Sequence, residues 1–387
     1  MKRIGYRVVA FCMCLFVWAG SATSVSAQVE VSSPSAILVE AHTGGVIYEK
    51  NPDEIRSPAS ITKIMTMLLA FEAIADGKVA LTDEVYTSEY AASMGGSQVF
   101  LEAGEIQTLD TLLKCIAVAS GNDASVAVAE HIAGSEEAFV ALMNEKAVEL
   151  GMMNTHFEDC CGLSNSDNHY TTARDVATMS RTLIAEHPEV YTYSQIWSED
   201  ITHVTRRGEE IFTLNSTNKL LKQYPYTTGL KTGSTDKAKY CLSATAHKDG
   251  LDLVAVIMGA PDYKVRFSEA QSLLNYGFAN VTFYEDTQMP ALPTLEVERG
   301  KEDTLELSYE GGFSFLDKQG RDLSALRKEL ILPEKVSAPI EEGAQVGRLV
   351  YFLDKEPIGE VIVRSVHGVE EAGYVDYLLE ILDYFLL

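Results

Sequence analysis

The first apolar run of this sequence is too short to span a membrane. It covers residues 8–19 of a chain of 387, whereas a membrane-spanning helix needs about 20 apolar residues. Basic residues precede the run, and a Val-Ser-Ala sequence ending at residue 27 offers the small side chains that signal peptidase accepts. An uncleaved membrane helix is the alternative. The pattern favours a signal peptide over residues 1–27, export of the protein, and a mature chain that begins at Gln28.

Cysteine and histidine show no pattern typical of a metal site. Four cysteines remain in the mature chain: Cys115, Cys160, Cys161 and Cys241. An exported protein can form disulfides, but adjacent residues such as Cys160 and Cys161 rarely bridge each other because the geometry is strained. Cys115 and Cys241 are best interpreted as small buried side chains. Because no Cys-x-x-Cys pair occurs and the eight histidines lack ligand spacing, we expect no metal and no cofactor.

Basic residues are few relative to acidic ones. Lys and Arg number 31 against 56 Asp and Glu, so the formal net charge is −25, and loss of three basic residues with the signal peptide makes it −28. An acidic surface repels the phosphate backbone, which excludes nucleic acid as an expected partner.

Strands are predicted at both ends of the first domain, with helices between them. The predicted strands are residues 36–39, 46–48, 226–233, 239–247 and 251–259, and the main predicted helices are residues 57–74, 109–119, 124–132, 135–150, 172–186 and 264–279. The first helix has Ser57 as its N-cap and Pro58 as its first residue, and it is apolar on nearly all sides, so we expect it to be buried. A sheet built from both ends of a segment around a helical middle is an α+β fold.

A change in composition marks a second domain. Residues 285–293 contain two prolines and indicate a linker, so we expect one domain over residues 28–284 and a small all-β domain over residues 285–371. The strands predicted in the second domain are residues 304–309, 348–353 and 359–365.

Residues 372–387 predict an amphipathic C-terminal helix. Asp376, Glu380 and Asp383 fall on one helical stripe, and apolar residues cover most of the rest. The segment is too short to cross a bilayer but can lie in its interface. A helix packed on the β domain is the alternative, because an acidic face gains nothing from anionic lipids.

Ser60-Ile61-Thr62-Lys63 has the spacing of an activated nucleophile. Residues three apart share one face of a helix, so the Lys63 amine can reach the Ser60 hydroxyl. A serine needs a neighbour that takes its proton, and a lysine in an apolar setting can do so because burial lowers its pKa. The spacing alone is weak evidence, since a chain of this length contains about one such match by chance.

Two further motifs follow in the chain. Ser120-Gly121-Asn122 lies between two apolar helical runs, where a hydroxyl and an amide can relay a proton and hold a substrate amide. Lys231-Thr232-Gly233 lies on a predicted strand, whose edge can align an extended peptide by backbone hydrogen bonds while Lys231 and Thr232 face a carboxylate. Each motif alone is weak, but all three in this order in an exported chain are improbable by coincidence.

The motifs resemble those of the low-molecular-mass penicillin-binding proteins, in particular the serine-type D-Ala-D-Ala carboxypeptidases. Residues 57–66 resemble the nucleophile segment of that family, residues 120–124 its second motif and residues 228–236 its third. Residues 169–175 also resemble a segment of that family. The family often has Asp where Thr228 stands, a difference from which we expect little consequence. The resemblance covers nearly the whole mature chain.

The resemblance implies a fold and a mechanism. It implies a β-lactamase/transpeptidase-like catalytic domain, a C-terminal β domain and a terminal helix that binds the outer face of the cytoplasmic membrane. It places catalysis on Ser60, Lys63, Ser120 and Asn122. Substrate binding falls to a second group: Lys231, Thr232, Gly233, Ser234 and Arg266. The backbone N–H groups of Ser60 and Ser234 would form the oxyanion hole, and Arg266 would hold the terminal carboxylate of the substrate. Peptidoglycan stem peptides would be the substrates and β-lactams covalent inhibitors.

Three other functions fit part of the pattern. A class A-like β-lactamase would need a loop glutamate that activates water, and residues 157–163 contain acids without the Glu-x-x-Leu-Asn pattern of that family. Transpeptidation, in which an amine replaces water, stays open. The third function is a non-catalytic scaffold that binds the cell wall. The presence of Ser60, Lys63 and Lys231 disfavours it, because a scaffold has no need of catalytic residues.

Overall fold

A computed structural model describes residues 29–205 and 208–379 of the chain. The predicted signal peptide and residues 380–387 of the predicted C-terminal helix lie outside the described residues. The strands of the first domain are β1 Ser35–Glu40, β2 Val46–Lys50, β3 Glu84–Tyr86, β4 Ile106–Thr108, β5 Ser198–Thr205, β6 Gly208–Asn215, β7 Thr227–Thr235, β8 Lys239–Lys248 and β9 Leu251–Ala260. Its helices are α1 Lys63–Ala75, α2 Glu89–Ala92, α3 Leu109–Lys114, α4 Asn122–Ala133, α5 Glu136–Glu149, α6 Ala173–Glu186, α7 Tyr191–Ser194, α8 Leu220–Gln223 and α9 Tyr263–Asn280.

An antiparallel sheet joins the two ends of the first domain, as the sequence predicted. Its strand order is β2-β1-β9-β8-β7, so the N-terminal hairpin pairs with strands from the end of the domain. Nearly every residue of β9 is buried, and because successive side chains point to opposite faces of a sheet, both faces of β9 are covered. Helices α6 and α9 both pack on β9. Strand β7, which carries the third motif, is the strand at one edge of this sheet.

Helix α1 runs through the core of the helical region. Ten of its residues are buried, among them Phe71 and the charged Lys63. The prediction that Ser57 caps a helix beginning at Pro58 is wrong: a short 3-10 turn, Ala59–Thr62, comes first, and α1 begins at Lys63. The reason is tertiary, since Ala59 has a φ of +48° and other segments press closely against this turn.

The remaining predicted helices form with local changes at their ends. Ser135 and Thr172 precede α5 and α6 as N-caps, each side chain accepting a backbone N–H in the first turn. The helix predicted over residues 109–119 changes instead into a π turn, Cys115–Ala119, after α3. The hairpin of β5 and β6 and the short pair of β3 and β4 were not predicted, because their alternation is weak or brief.

The C-terminal part is a β domain with three small sheets. Its strands are β10 Thr282–Glu285, β11 Leu295–Glu298, β12 Thr304–Leu305, β13 Leu307–Tyr309, β14 Ser314–Asp317, β15 Arg327–Ile331, β16 Lys335–Ser337, β17 Gln345–Leu353 and β18 Glu356–Ser365. The sheets have the orders β13-β18-β17-β15, β12-β11-β16 and β10-β14. Tyr351 stacks on Phe313, with ring centroids 3.6 Å apart, in one of its cores. The strand predicted over residues 304–309 divides into β12 and β13.

Residues 374–379 are helical, as predicted for the start of the C-terminal segment. Their apolar side chains are exposed: Tyr374 by 83% and Leu379 by 57%. None of the helices within residues 29–205 and 208–379 has the length and apolar character that crossing a membrane requires.

Candidate active site

Ser60 and Lys63 lie together where the 3-10 turn meets α1. Lys63 Nζ is 3.2 Å from Ser60 Oγ, 2.6 Å from Asn122 Oδ1 and 2.7 Å from the backbone oxygen of Cys161. Lys63 is fully buried, whereas Ser60 is half-buried. The contact predicted from the spacing is therefore present, although a 3-10 turn rather than an α-helix carries the serine.

Burial shifts Lys63 toward its uncharged form. Burial lowers the pKa of Lys63 below its ordinary value of 10.5, while the negative charge of Asp159 and Asp123 acts in the opposite direction. A neutral amine has two N–H donors and one lone pair. The oxygens of Asn122 and Cys161 can only accept, so they take the two donors. The lone pair of the neutral amine is then directed at the hydroxyl of Ser60.

Ser120 joins the second motif to the third. Lys231 Nζ donates to Ser120 Oγ at 2.8 Å and to the backbone oxygen of Thr232 at 3.0 Å. Lys231 is 1% exposed, and burial, together with the charges of Lys63 and Arg266, places the pKa of Lys231 well below its usual value. Two buried lysines thus flank the serines of the first two motifs, and each disfavours the charged form of the other.

Local backbone geometry presents the second motif. Ser120 follows the π turn in a left-handed conformation with a φ of +63° and a ψ of +32°, a strained geometry for a residue with a Cβ. Asn122 Nδ2 donates to the backbone oxygen of Gly95 at 2.7 Å, which orients its Oδ1 toward Lys63. Asp123 accepts from the backbone N–H groups of Val99 and Leu101. The loop between α2 and β4 is thereby fixed to the second motif.

The third motif lies directly beside the 3-10 turn Ala59–Thr62, which carries the predicted nucleophile Ser60. A Cβ atom on Gly233 would be 2.9 Å from the backbone oxygen of Pro58 and 3.0 Å from the nitrogen of Ile61. Glycine at this position therefore allows β7 to approach the turn that carries Ser60, in addition to the substrate access expected from the sequence. Thr232 Oγ1 is 2.6 Å from Thr217 Oγ1.

Arg266 lies behind the third motif. Its Nη1 donates to the backbone oxygens of Gly233 at 3.0 Å and of Cys241 at 3.3 Å, and its Nε is buried without a hydrogen-bond partner. The guanidinium carbon lies 5.5 Å from the ring centroid of Tyr240, and burial lowers the pKa of Arg266. Arg266 is thus attached to the backbone of β7, one residue from Ser234, which is exposed at the strand edge.

A loop that the sequence did not assign to catalysis completes the site. Within residues 157–171, Asp159 accepts from the backbone N–H groups of Cys161 at 2.9 Å and Ser164 at 2.6 Å, and it also accepts from Gly162. These bonds position the Cys161 carbonyl that faces Lys63. His169 Nδ1 accepts from the N–H of Glu158 at 3.1 Å, so the proton of the neutral ring is on Nε2, which is 2.9 Å from Thr62 Oγ1. Burial lowers the pKa of His169 and favours this neutral form.

The structure thus brings the predicted catalytic residues together and adds others. Hydrogen bonds link Ser60, Lys63 and Asn122, and a second set links Ser120, Lys231 and Thr232. The contribution of the Cys161 backbone was missed because a carbonyl oxygen carries no residue-type signal. The segment around His169 does resemble the family, but the contact of His169 with Thr62 depends on tertiary packing. Within the part of the chain that the structure describes, Cys115, Cys160, Cys161 and Cys241 are buried and form no disulfide.

Most of the chain is similar to known proteins, both in sequence and in structure. Residues 21–262 match the family of D-alanyl-D-alanine carboxypeptidases, and residues 278–371 match the C-terminal domain of penicillin-binding protein 5. The chain is 42% identical to the D-alanyl-D-alanine carboxypeptidase DacF of Bacillus subtilis over 89% of this chain and 87% of that protein. It is 33% identical to DacC of Escherichia coli, of the same description, over 93% of this chain and 90% of that protein. The fold of this chain is similar to the crystal structure of penicillin-binding protein 5 from Haemophilus influenzae. The TM-score is 0.76 at 30% identity, over 88% of this chain and 98% of that chain.

Proposed function

The chain belongs to the D-alanyl-D-alanine carboxypeptidase family, and from this membership we propose that Ser60 is the nucleophile and Lys63 its general base. The protein is a serine-type hydrolase of the penicillin-binding class, with a transpeptidase-like α+β catalytic domain followed by a β domain. It removes the terminal D-alanine from peptidoglycan stem peptides. The predictions of family, fold class and activity are thereby confirmed.

The position of Lys63 is the observation that carries the residue assignment. Its amine is buried between two carbonyl oxygens and 3.2 Å from Ser60 Oγ. As Ser60 Oγ bonds to the carbonyl carbon of the penultimate D-alanine, its proton moves to the lone pair of Lys63. The amine becomes an ammonium beside the oxygens of Asn122 and Cys161, which accept its hydrogens and so stabilise its positive charge.

Ser120 is suited to return the proton. When the carbon–nitrogen bond to the terminal D-alanine breaks, the leaving nitrogen needs a proton, and the Ser120 hydroxyl can pass on the one that Lys63 holds. Lys231, 2.8 Å from Ser120 Oγ, fixes the position of this hydroxyl. A water molecule then gives a proton to Lys63 and attacks the carbonyl carbon of the acyl-enzyme. The bond to Ser60 Oγ breaks, Lys63 returns the proton to Ser60 Oγ, and the shortened peptide is released. Transpeptidation would follow the same path with an amine in place of water.

Substrate binding is assigned to the edge of β7. An extended peptide can pair with this edge strand, where Thr232, Gly233 and Ser234 follow Lys231. The N–H groups of Ser60 and Ser234 are the proposed oxyanion hole, and the close approach of Gly233 to the nucleophile turn supports their proximity. The proposed role of Arg266 in holding the terminal carboxylate is supported by its attachment to Gly233.

The contacts of the loop acids speak against the β-lactamase alternative. Asp159 accepts from backbone N–H groups of its own loop, and Glu158 accepts from Ser164 Oγ at 3.2 Å on the surface. Both carboxylates are therefore occupied by hydrogen bonds within their own loop. The scaffold alternative does not explain why two lysines are buried against the motif serines, since burial of uncompensated amines destabilises a fold.

We further propose that the protein acts at the outer face of the cytoplasmic membrane. Its relatives are D-alanyl-D-alanine carboxypeptidases, whose substrate lies outside the cytoplasm, and the signal peptide predicted over residues 1–27 supports export. The exposed apolar side chains of residues 374–379 support attachment through the C-terminal segment, because burial in a lipid interface would remove them from water.

Mass spectrometry of the mature chain with penicillin tests the residue assignment. We expect one covalent adduct on the peptide that contains Ser60, and neither an adduct nor D-alanine release from Ser60→Ala. Ser93→Ala is the matched control, since Ser93 is exposed and its hydroxyl donates only to the Tyr90 oxygen nearby. A labelled Ser60→Ala protein would contradict the assignment. A long-lived adduct is expected of a carboxypeptidase, and rapid loss of the adduct would favour a β-lactamase.

A further inference from the structure

A histidine and two glutamates meet between two helices, away from the site described above. One ring nitrogen of His187 and one carboxylate oxygen each of Glu72 and Glu186 lie within 4.8 Å of one another. Glu72 is in the second half of α1, while Glu186 is the last residue of α6 and His187 is its C-cap. Glu72 is nine residues beyond Lys63, which corresponds to about 14 Å along a helix.

His187 is buried with one ring nitrogen unpartnered. The residue is 6% exposed, and its Nε2 is inaccessible to solvent and makes no hydrogen bond. Its Nδ1 is 3.5 Å from Glu189 Oε1, and the ring stacks on Phe71 with centroids 6.1 Å apart. A buried polar atom without a partner is unfavourable and rare in folded proteins. A ligand bound to Nε2 would remove this cost.

The charges around His187 favour a cation. Glu72, Glu186 and Glu189 supply negative charge, and the C-terminal end of α6 adds the negative end of a helix dipole. One cation is already present, because Lys146 Nζ is 3.0 Å from Glu72 Oε1 and 2.8 Å from Glu149 Oε2. Lys146 engages one oxygen of Glu72 and has Glu149 as a second partner, so the other oxygen of Glu72 can bind a different cation.

We propose that Glu72, Glu186 and His187 form a zinc site. Coordination through Nε2 would satisfy the buried nitrogen and leave the Nδ1–H directed at Glu189, an arrangement that is usual for zinc-bound histidines. A mixed set of imidazole and carboxylate ligands suits Zn²⁺, whereas Mg²⁺ and Ca²⁺ prefer oxygen alone. A water molecule completes the tetrahedral set.

The site joins α1 to α6 and has a structural role. Its ligands come from two helices that pack against each other, so bound zinc stabilises the folded state over the unfolded one. The sequence predicted no metal site because Glu72 is far along the chain from the other two ligands. Only the packing of α1 on α6 brings the three residues together.

Zinc titration of the chelator-treated mature protein, followed by calorimetry, tests the proposal. We expect one zinc per chain and a melting temperature raised by roughly 2 °C or more in excess zinc, with smaller effects of magnesium and calcium. His187→Gln and Glu186→Gln should each weaken zinc binding at least about tenfold. Glu186 is exposed, so the Glu186→Gln variant keeps the test decisive if the buried His187 substitution disturbs folding.

His247→Gln is the matched control. His247 is exposed, and its Nδ1 is 3.0 Å from Asp252 Oδ1, so it forms a histidine–carboxylate pair on the sheet, outside the proposed zinc site. It should bind zinc as the unchanged protein does. The proposal is overturned if Glu186→Gln binds zinc with unchanged affinity, if His247→Gln removes the binding, or if no zinc binds. Penicillin acylation should be the same with and without zinc, so failure of the zinc site is distinguishable from failure of the proposed function.

Discussion

Gly162 lies directly against Ala59, the residue that precedes the proposed nucleophile Ser60. Gly162 has a φ of +80°, and a Cβ atom placed on it would overlap the carbonyl group of Ala59. The loop that supplies the Cys161 carbonyl to Lys63 can therefore contact the nucleophile turn only because this residue is glycine. The contact couples the shape of the loop to the position of Ser60.

Substitution of Gly162 should damage both stability and chemistry. Gly162→Ala adds a methyl group at a positive φ and against the backbone, and Gly151→Ala, the control, adds one at a φ of +71° with no atom within 4 Å. Both variants carry the backbone strain, but only Gly162→Ala is also overpacked. We expect it to lose roughly 1–3 kcal/mol more free energy of unfolding than the control. Urea unfolding measures this difference, and equal losses in the two variants would contradict the contact.

Penicillin acylation rates should separate the two glycine variants further. Because Gly162→Ala displaces the nucleophile turn or the Cys161 carbonyl, its folded fraction should acylate slowly, whereas Gly151→Ala should acylate at the normal rate. Normal acylation by Gly162→Ala would mean that the loop does not position the site.

The acylation rate should rise with pH as Lys63 loses its proton. Burial lowers the pKa of Lys63 from 10.5, so the rising limb of the rate profile should lie below that value. Lys63→Arg keeps the charge but does not release a proton, so acylation should fall by orders of magnitude while circular dichroism stays unchanged. Near-normal acylation by Lys63→Arg would show that another group is the base.

The lowered pKa of Lys63 also predicts how stability depends on pH. Between the folded-state pKa and 10.5 the unfolded chain binds the proton and the folded chain does not, so the free energy of unfolding rises with pH in this range. Relative to Lys63→Met, the unchanged protein should therefore gain stability as the pH rises toward 10.5. Thermal unfolding of both proteins measures it, and a constant difference would mean that Lys63 has an ordinary pKa.

Arg266 should matter more for substrates that end in a free carboxylate. Arg266→Ala removes a charged partner of that carboxylate, which corresponds to a loss of about tenfold to a hundredfold in kcat/KM. The same change loosens the backbone of Gly233 for every substrate. Peptides with an amidated terminus measure this second effect alone, so they should lose less. Equal losses on both kinds of peptide would limit Arg266 to positioning β7.

Removal of the C-terminal segment should release the protein from membranes. Truncation after Gly373 deletes the exposed apolar side chains of residues 374–379 but keeps the hydrogen bond from the Ala372 nitrogen to Arg299 in the β domain. Liposome flotation should show that the chain without its predicted signal peptide binds to membranes. Anionic lipid should weaken this binding, because it repels the acidic residues Asp376, Glu380 and Asp383. The truncated protein should stay soluble and active on small peptides. A soluble full-length chain with a destabilised truncation would instead indicate a helix packed on the β domain.

The sequence alone determined the three motifs and the class of the fold. Ser60 and Lys63 are three residues apart, so even a 3-10 turn leading into a helix keeps both side chains on one side, and their contact did not depend on distant residues. The strands at both ends of the first domain were recognisable because local hydrophobic patterns survive in almost any tertiary setting. The resemblance of the motifs to a known family then supplied the roles expected of their residues.

Only the tertiary structure decided what surrounds those motifs. The 3-10 geometry at Ala59 depends on the close approach of Gly233 and Gly162, which come from segments far along the chain. The Cys161 carbonyl beside Lys63 is a backbone group, and backbone atoms are the same in every residue. Glu72 and His187 likewise meet only because α1 packs on α6. Residue types and spacing encode chemistry within a few residues, whereas burial, lowered lysine pKa values and ligand clusters arise when distant segments exclude water from a shared space.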